Sequence, residues 1–423
     1  MLKKLSLLAL LVSAYSASAA TLIHSGKLID GVNDKVLTKQ TIVVEGNKIT
    51  AIKSGYITPS SSDTLIDLKD ATLLPGFIDM HTHLVMQTSK NNYLENYRLE
   101  PADVALRGAL YAKRTLEAGF TSVRDLGDKG NASISLRNAI NGGYVIGPRI
   151  FTAGKSIATT GGHADPSNGH RKGLWDQPTP ADGVINGAVE ATKAVRERYQ
   201  DGADLIKITA TGGVLSMAKS GQNPQFQMHE LEAIVNTAKD YGMTVAVHAH
   251  GREGMRRAIM AGVTTIEHGT YMDNEIMALM KKHNVTYVPT LLAGAFVAQQ
   301  AAIPGYYPEI VRPKAAKIGP LIKETFARAV KAGVTIAYGT DAGVFYHGDN
   351  AKEFAIMVDA GMDEMAAIKS ATSVAARTLN QDNIGQLKAG YLADIVAVKG
   401  NPLDDIRVLE SIDFVMKDGK QYK

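Results

Sequence analysis

A glycine stands directly before a short β-forming run at five places in the middle of this chain, and that repetition constrains the fold more than any other feature. Gly119 precedes 121–125, Gly202 precedes 205–209, Gly242 precedes 243–248, Gly262 precedes 263–268 and Gly333 precedes 334–341. A glycine that closes a helix in the left-handed region, with a strand immediately after it, is the junction of an αβ unit. The runs 73–79, 149–153 and 285–290 bring the number of candidate strands to eight. Eight strands separated by helical stretches over about 300 residues predict an α/β fold of (β/α)8 barrel type. A doubly wound open sheet would call for G-x-G-x-x-G after its first strand, and no such run occurs.

The ends of the chain have another texture. Runs 21–25, 40–45 and 48–53 cluster β-formers around the turn Gly46-Asn47, and the same character returns at 393–399 and at 412–417 before Asp418-Gly419. One satellite β domain is predicted where the termini meet. The length, 423 residues, suits a large barrel with such a satellite. With 45% hydrophobic and 21% charged residues the chain is globular in composition, which excludes disorder and collagen.

Residues 1–19 read as a signal peptide. Lys3 and Lys4 precede the apolar run 5–12, and Ala17-Ser18-Ala19 is an A-x-A cleavage pattern. The run is too short to span a bilayer, and no later stretch has about 18 consecutive apolar residues. We therefore expect an exported, periplasmic or secreted protein that is soluble and begins near Ala20. The formal charge of +4 falls to +2 when the two leader lysines are removed, so the basic excess of a nucleic-acid binder is missing. There is no cysteine, so disulfides, thiol catalysis and thiolate metal sites are excluded, and any metal must be held by His, Asp, Glu or Lys. The eleven histidines are where that search starts.

In a barrel of this kind polar side chains at the C-terminal ends of the strands face the catalytic rim. The first candidate strand ends in His81-Thr82-His83, the fourth carries Lys207, the fifth ends in His248-Ala249-His250, the sixth in Glu267-His268 and the eighth in Gly339-Thr340-Asp341. Taken singly, each has an ordinary explanation: H-x-H alone is a weak signal, a lysine near a strand end is usually solvated, and an aspartate after Gly-Thr usually caps a turn. Five strands delivering ionisable groups to the same rim is not an ordinary accident. His81 and His83 alternate on one strand and can face one ion. Lys207 would repel cations when protonated, but carboxylated by carbon dioxide it becomes an anionic two-oxygen bridge. Nitrogen and oxygen donors of this kind suit zinc or manganese.

At these residues the sequence resembles the amidohydrolase superfamily. The resemblance is carried by Pro75-Gly76-Phe77-Ile78-Asp79-Met80-His81-Thr82-His83, by Lys207, His248, His268 and Asp341, and by Gly385-Gln386-Leu387-Lys388-Ala389-Gly390-Tyr391-Leu392-Ala393-Asp394-Ile395-Val396. It extends over nearly all of the chain after the leader. It implies a distorted (β/α)8 barrel over 75–382 and a β-sandwich assembled from 20–74 and 383–423. Thr159-Thr160-Gly161-Gly162-His163, the run 207–214 and His248-Ala249-His250-Gly251 are similar to the prolidase-like, imidazolonepropionase-related branch, which implies an Xaa-Pro or Xaa-Arg type dipeptidase or carboxypeptidase, or a hydrolase of N-acyl amino acids. The resemblance implies two divalent ions, taken as zinc. His81 and His83 would bind the more buried ion, Lys207 as a carbamate would bridge the pair, and His248 and His268 would hold the exposed ion. Asp341 would ligate the buried ion and act as catalytic base towards a metal-bridging hydroxide. His163 and His250 are assigned to the oxyanion or to the substrate carboxylate; Arg171 and His229 are weaker candidates. More than one subunit is also implied, with no nucleic-acid or membrane partner.

Two rival readings remain. Deaminases of this superfamily carry a glutamate three residues after the strand-five histidine, where this chain has Gly251. A cyclic-amide hydrolase of imidazolonepropionase type fits the ligands but fits an exported protein less well. A non-catalytic interaction protein would have lost ligands, and none is missing. The methionines at 255, 260, 272, 277 and 280 follow helical spacing and are expected to fill core. The stretch 291–302 is expected to be a packed barrel helix, and Tyr306-Tyr307 to lie in a loop near the pocket.

Overall fold

A computed structural model describes residues 19–95, 97–174 and 176–423; of the expected leader 1–19, all but Ala19 lies outside the described residues. The chain begins with β1 (Thr21–Leu28), β2 (Leu37–Glu45), β3 (Lys48–Ser54) and β4 (Thr64–Pro75). Then come β5 (Phe77–Thr82), β6 (Phe120–Asp125) and β7 (Arg149–Thr152), the short pair β8 (Ala158–Thr159) and β9 (Val184–Ile185), and β10 (Ile206–Thr209), β11 (Val245–Ala249), β12 (Thr265–His268) and β13 (Thr286–Val288). The C-terminal strands are β14 (Ile395–Lys399), β15 (Phe414–Lys417) and β16 (Lys420–Gln421).

The expected meeting of the termini takes the form of one seven-stranded sheet in the order β16-β15-β14-β4-β1-β2-β3, rather than two separately bonded layers. Its apolar face buries Ile23, Ile42, Leu73, Ile395 and Phe414 together. Arg149, at the start of β7, ties this sheet to the rest of the molecule through Asp394 at 2.6 Å and Asp418 at 2.5 Å.

The central strands are parallel and alternate with helices, as the glycine repeat predicts. All five repeating glycines have positive φ, between 68° for Gly242 and 94° for Gly119, the region that lets a chain turn from a helix straight into a strand. The ladders form two arcs, β5-β6-β7 and β10-β11-β12-β13. Single bridges (Ile157 with Ile208, Tyr287 with Ile336, Thr82 with Ala342) link their ends, so regular hydrogen bonding does not close the ring.

Two expected strands differ. The run 73–79 is divided at Gly76: Pro75 ends a strand of the terminal sheet and Phe77 starts a central one. Gly76 donates to Asp394 at 2.8 Å, and a Cβ on it would lie 2.1 Å from the Thr121 hydroxyl, so the crossing between the two sheets has room only for glycine. The run 334–341 makes a single bridge, at Ile336, instead of a ladder, and its backbone leaves the extended region at Asp341 (φ 62°). Helix Leu291–Ala301 packs as expected, and of the five methionines Met260 alone is half exposed while the other four are buried. No helix among the described residues is long and apolar enough to cross a membrane.

Candidate active site

The C-terminal ends of β5, β10, β11 and β12 meet with Asp341 in one buried cluster. His81 points one ring nitrogen, Nδ1, at the Glu267 carboxylate, 2.9 Å away. A carboxylate accepts, so Nδ1 carries the proton and the Nε2 lone pair is free. It faces Lys207 Nζ at 3.4 Å and Asp341 Oδ1 at 3.5 Å. His83 is fixed the same way: Nδ1 donates to the Gly127 carbonyl at 2.9 Å, leaving Nε2 to face Asp341 Oδ1 at 3.3 Å. One ligand atom from each of His81, His83 and Asp341 lies within 4.8 Å of the others, a grouping that can hold a metal ion.

The other histidines extend this cluster. The His268 ring lies 4.9 Å from His81 and 4.6 Å from His248, and its Nδ1 pairs with the Thr290 hydroxyl at 2.8 Å. His248 Nε2 donates to the Gly212 carbonyl at 3.2 Å, which leaves Nδ1 free. His250 stacks on His268 at 5.1 Å and pairs through Nδ1 with Thr270 at 2.8 Å. His163 stacks on His248 at 4.2 Å, and its Nδ1 is buried without a partner among the described residues. That approach depends on Gly213, because a Cβ there would lie 2.2 Å from the His163 ring. All eight residues assigned from the sequence therefore come together. Arg171 and His229 are exposed and take no part in the cluster. Tyr306 touches the rim through Thr88 at 3.2 Å.

Burial controls the charges. It holds His81, His248 and His268 well below the usual histidine range, helped by the positive charge of Lys207, and brings His250 down to about 4 and His163 to about 3. These rings are neutral near pH 7, the form that binds metal. Burial also opposes protonation of His83, but the adjacent Asp341 carboxylate outweighs it and raises that histidine. Burial alone would raise Asp341; His81 and His83 reverse this and keep it ionised. Burial lowers Lys207 to about 8, against the pull of Glu267 and Asp341, so part of it is the neutral amine that can attack carbon dioxide.

A supporting layer of residues was given no role in the sequence reading. Arg124, buried among the central strands, donates to Glu267 at 2.7 Å, to the Met80 carbonyl at 2.7 Å and to Thr265 at 3.1 Å, and so sets the carboxylate that orients His81. Asp79 accepts from the Thr340 hydroxyl at 2.6 Å, from Asn350 at 2.8 Å and from the His81 amide at 3.1 Å, which joins the first strand to the Asp341 turn. Glu353 accepts the amides of Leu291 and Leu292 at 2.8 and 2.6 Å, anchoring the helix that follows Thr290. Lys314 donates to the carbonyls of Gly213, Ser216 and Ala218 and holds the loop that bears Gly213 against His163. Glu267 stands in the sequence beside His268, but consecutive residues on a strand face opposite ways. Both face the site only because the chain turns at His268 (φ 69°).

Comparison with known proteins fits this geometry. Residues 72–422 match the amidohydrolase family. The crystal structure of an Xaa-Pro dipeptidase with methionine bound in its active site superposes with a TM-score of 0.94 at 54% identity, covering 96% of this chain and 100% of that one. A prolidase complexed with N-methylphosphonate-L-proline gives 0.87 at 31% identity over 96% and 100% of the two chains. The ochratoxinase of Aspergillus niger is 31% identical over 439 residues, 98% of this chain and 89% of that protein.

Proposed function

The chain belongs to the amidohydrolase family, and from that premise we propose that it hydrolyses the amide bond of dipeptides or N-acyl amino acids with two divalent ions, zinc by donor type. The observation that carries the reading is the convergence of the His81 and His83 Nε2 atoms on the ionised Asp341 carboxylate. His81, His83 and Asp341 would hold the more buried ion, His248 and His268 the exposed one, and Lys207, carboxylated on Nζ, would bridge them. When bound, the ions supply Lewis acidity, making a water acidic enough to ionise near neutral pH and polarising the scissile carbonyl.

This chain's residues do the rest. Asp341 accepts the proton of the attacking water and passes it to the amide nitrogen as the C–N bond breaks. His250, neutral and fixed by Thr270, offers Nε2 to the developing oxyanion. His163 stands beside His248 with an unpartnered nitrogen for a substrate carboxylate. The names of the dipeptidase and prolidase neighbours support a peptide substrate. Gly251, where deaminases carry glutamate, favours hydrolysis of an amide over deamination.

The test is to strip the protein of metal, reconstitute it with zinc, and screen dipeptides and N-acyl amino acids for release of the free amino acid. We expect turnover that depends on metal. A protein that binds no metal, or turns over without it, overturns the proposal. We also propose export, on the leader pattern alone; a mature mass starting near Ala20 is expected, and an unprocessed cytoplasmic protein refutes it.

A further inference from the structure

Thr209, the last residue of β10, is buried, 3% exposed, yet its hydroxyl has no hydrogen-bond partner among the described residues. Buried hydroxyls are rarely left unpaired, because the loss of water is then uncompensated.

Register shows where this hydroxyl lies. Residues two apart on a strand share a face, so Thr209 and Lys207 point the same way from β10. Thr209 stands opposite His248 on β11, and His248 opposite Glu267 on β12. Thr209, His248 and Glu267 therefore form one row, and Lys207, Ala246 and Thr265 the row beneath. The Lys207 side chain rises from its own row, because Nζ reaches within 3.4 Å of His81 Nε2, and His81 is the ring bonded to Glu267. A group added to Nζ would thus project into the level that the Thr209 hydroxyl occupies.

We propose that the Thr209 hydroxyl donates a hydrogen bond to an oxygen of the Lys207 carbamate and holds that group in its bridging orientation. The assignment rests on the carbamate reading of Lys207. In forming the carbamate, neutral Nζ gives its electron pair to the carbon of carbon dioxide and an N–C bond is made. One C=O pair moves onto oxygen and Nζ releases a proton to solvent, so the product carries one negative charge. Bound metals would draw on lone pairs of the carbamate oxygens. A hydroxyl donor is the complementary partner for a lone pair they leave over, and it competes with neither ion. Thr209 is a positioning residue, acting on the lysine rather than on substrate.

The experiment reconstitutes metal-free wild type, Thr209→Val and Thr209→Ser with zinc over a series of 13C-bicarbonate concentrations. It reads the labelled carbamate carbon by NMR and bound zinc by elemental analysis. Valine keeps the shape of threonine and removes the hydroxyl, whereas serine keeps the hydroxyl. The bicarbonate concentration for half-maximal labelling should rise roughly tenfold to a hundredfold in Thr209→Val, the range for a hydrogen bond to a charged group, and stay near wild type in Thr209→Ser. Thr209→Ala, with the same loss expected, serves if the valine variant does not fold. A hydroxyl-free variant that labels like wild type overturns the assignment of Thr209. A wild type that takes up no label, or a Lys207→Ala protein that still takes it up at this site, overturns the carbamate reading itself.

Discussion

Replacing Arg124 with methionine would leave Glu267 as a carboxylate in the protein interior with no cation beside it. The guanidinium and the carboxylate are 1% and 0% exposed and 2.7 Å apart. Removing one partner of a buried pair costs about 3–5 kcal/mol. The Met80 carbonyl, 2.7 Å from Arg124 Nε, would also lose its donor, for about 1–3 kcal/mol more. The expected loss is at least about 4 kcal/mol, set against a total stability on the order of 5–15 kcal/mol. Glu267→Gln acts differently. Its amide oxygen can still accept from Arg124, but its NH2 then faces His81 Nδ1 and forces the other tautomer, with the proton on Nε2. Metal affinity should fall about 10- to 100-fold, as for other losses of a ligand-orienting group. The double variant removes both charges at once, so it should be less destabilised than the sum of the singles by more than about 0.5 kcal/mol, the limit of simple additivity. Denaturant unfolding of the metal-free proteins measures the first quantity and competition with a chromogenic chelator the second. An Arg124→Met protein within about 1 kcal/mol of wild type, or strict additivity in the double variant, would refute the idea that this pair is a coupled unit orienting His81.

Asp341→Asn keeps the shape of the carboxylate but cannot take a proton from water; kcat should drop about 10²- to 10⁴-fold with the fold intact by circular dichroism, and unchanged turnover would remove Asp341 from the base role. Gly213→Ala places a Cβ 2.2 Å from the His163 ring, so KM should rise several-fold with little change in kcat, and an unchanged KM would argue against a substrate role for His163. His250 and His163 are brought from an ordinary value near 6.5 down to about 4 and about 3 by burial. The unfolded chain therefore takes up their protons first as pH falls, and the stability these neutral rings contribute is present above about 6.5 and lost on the way down to about 3. Metal-free protein should be less resistant to denaturant at pH 5 than at pH 7; equal resistance would contradict the buried, neutral state of these rings.

The sequence makes the ligand-type residues legible for a physical reason. His81 and His83, and likewise His248 and His250, obey the two-residue period of a strand, and the glycine repeat marks where the strands begin. Three features escape it. The division at Gly76 depends on Thr121, far along the chain, leaving no room for a side chain. The Arg124–Glu267 pair joins residues 143 apart and looks, in sequence, like a charged residue on each of two β runs. Glu267 and His268 defeat the strand period, because a left-handed residue inside a β-forming run is uncommon and the turn at His268 is set by tertiary contacts.

Those contacts also explain why the rim can hold a strained backbone. Among the described residues eight that are not glycine have positive φ, and three of them, His268, Thr290 and Asp341, surround the histidine cluster. Such conformations cost on the order of 1–3 kcal/mol each, and each here is pinned from more than one side. His268 accepts from Tyr287 at its carbonyl, 2.8 Å, while its ring is bonded to Thr290. Thr290 donates its amide to Gly339, 3.1 Å, and leads into the helix end whose first amides Glu353 accepts. Asp341 donates its amide to the His81 carbonyl, 2.7 Å, next to a turn held by Asp79. Relaxing any one of the three to an extended backbone would swing its side chain away from the cluster, so the strain and the convergence of donors have the same origin. Polar groups such as Asp79, Glu353 and the Arg124–Glu267 pair are set into the interior where apolar packing would stabilise the fold more simply. They stand at the points where the strained residues need hydrogen bonds, and this accounts for their position better than a contribution to overall stability does.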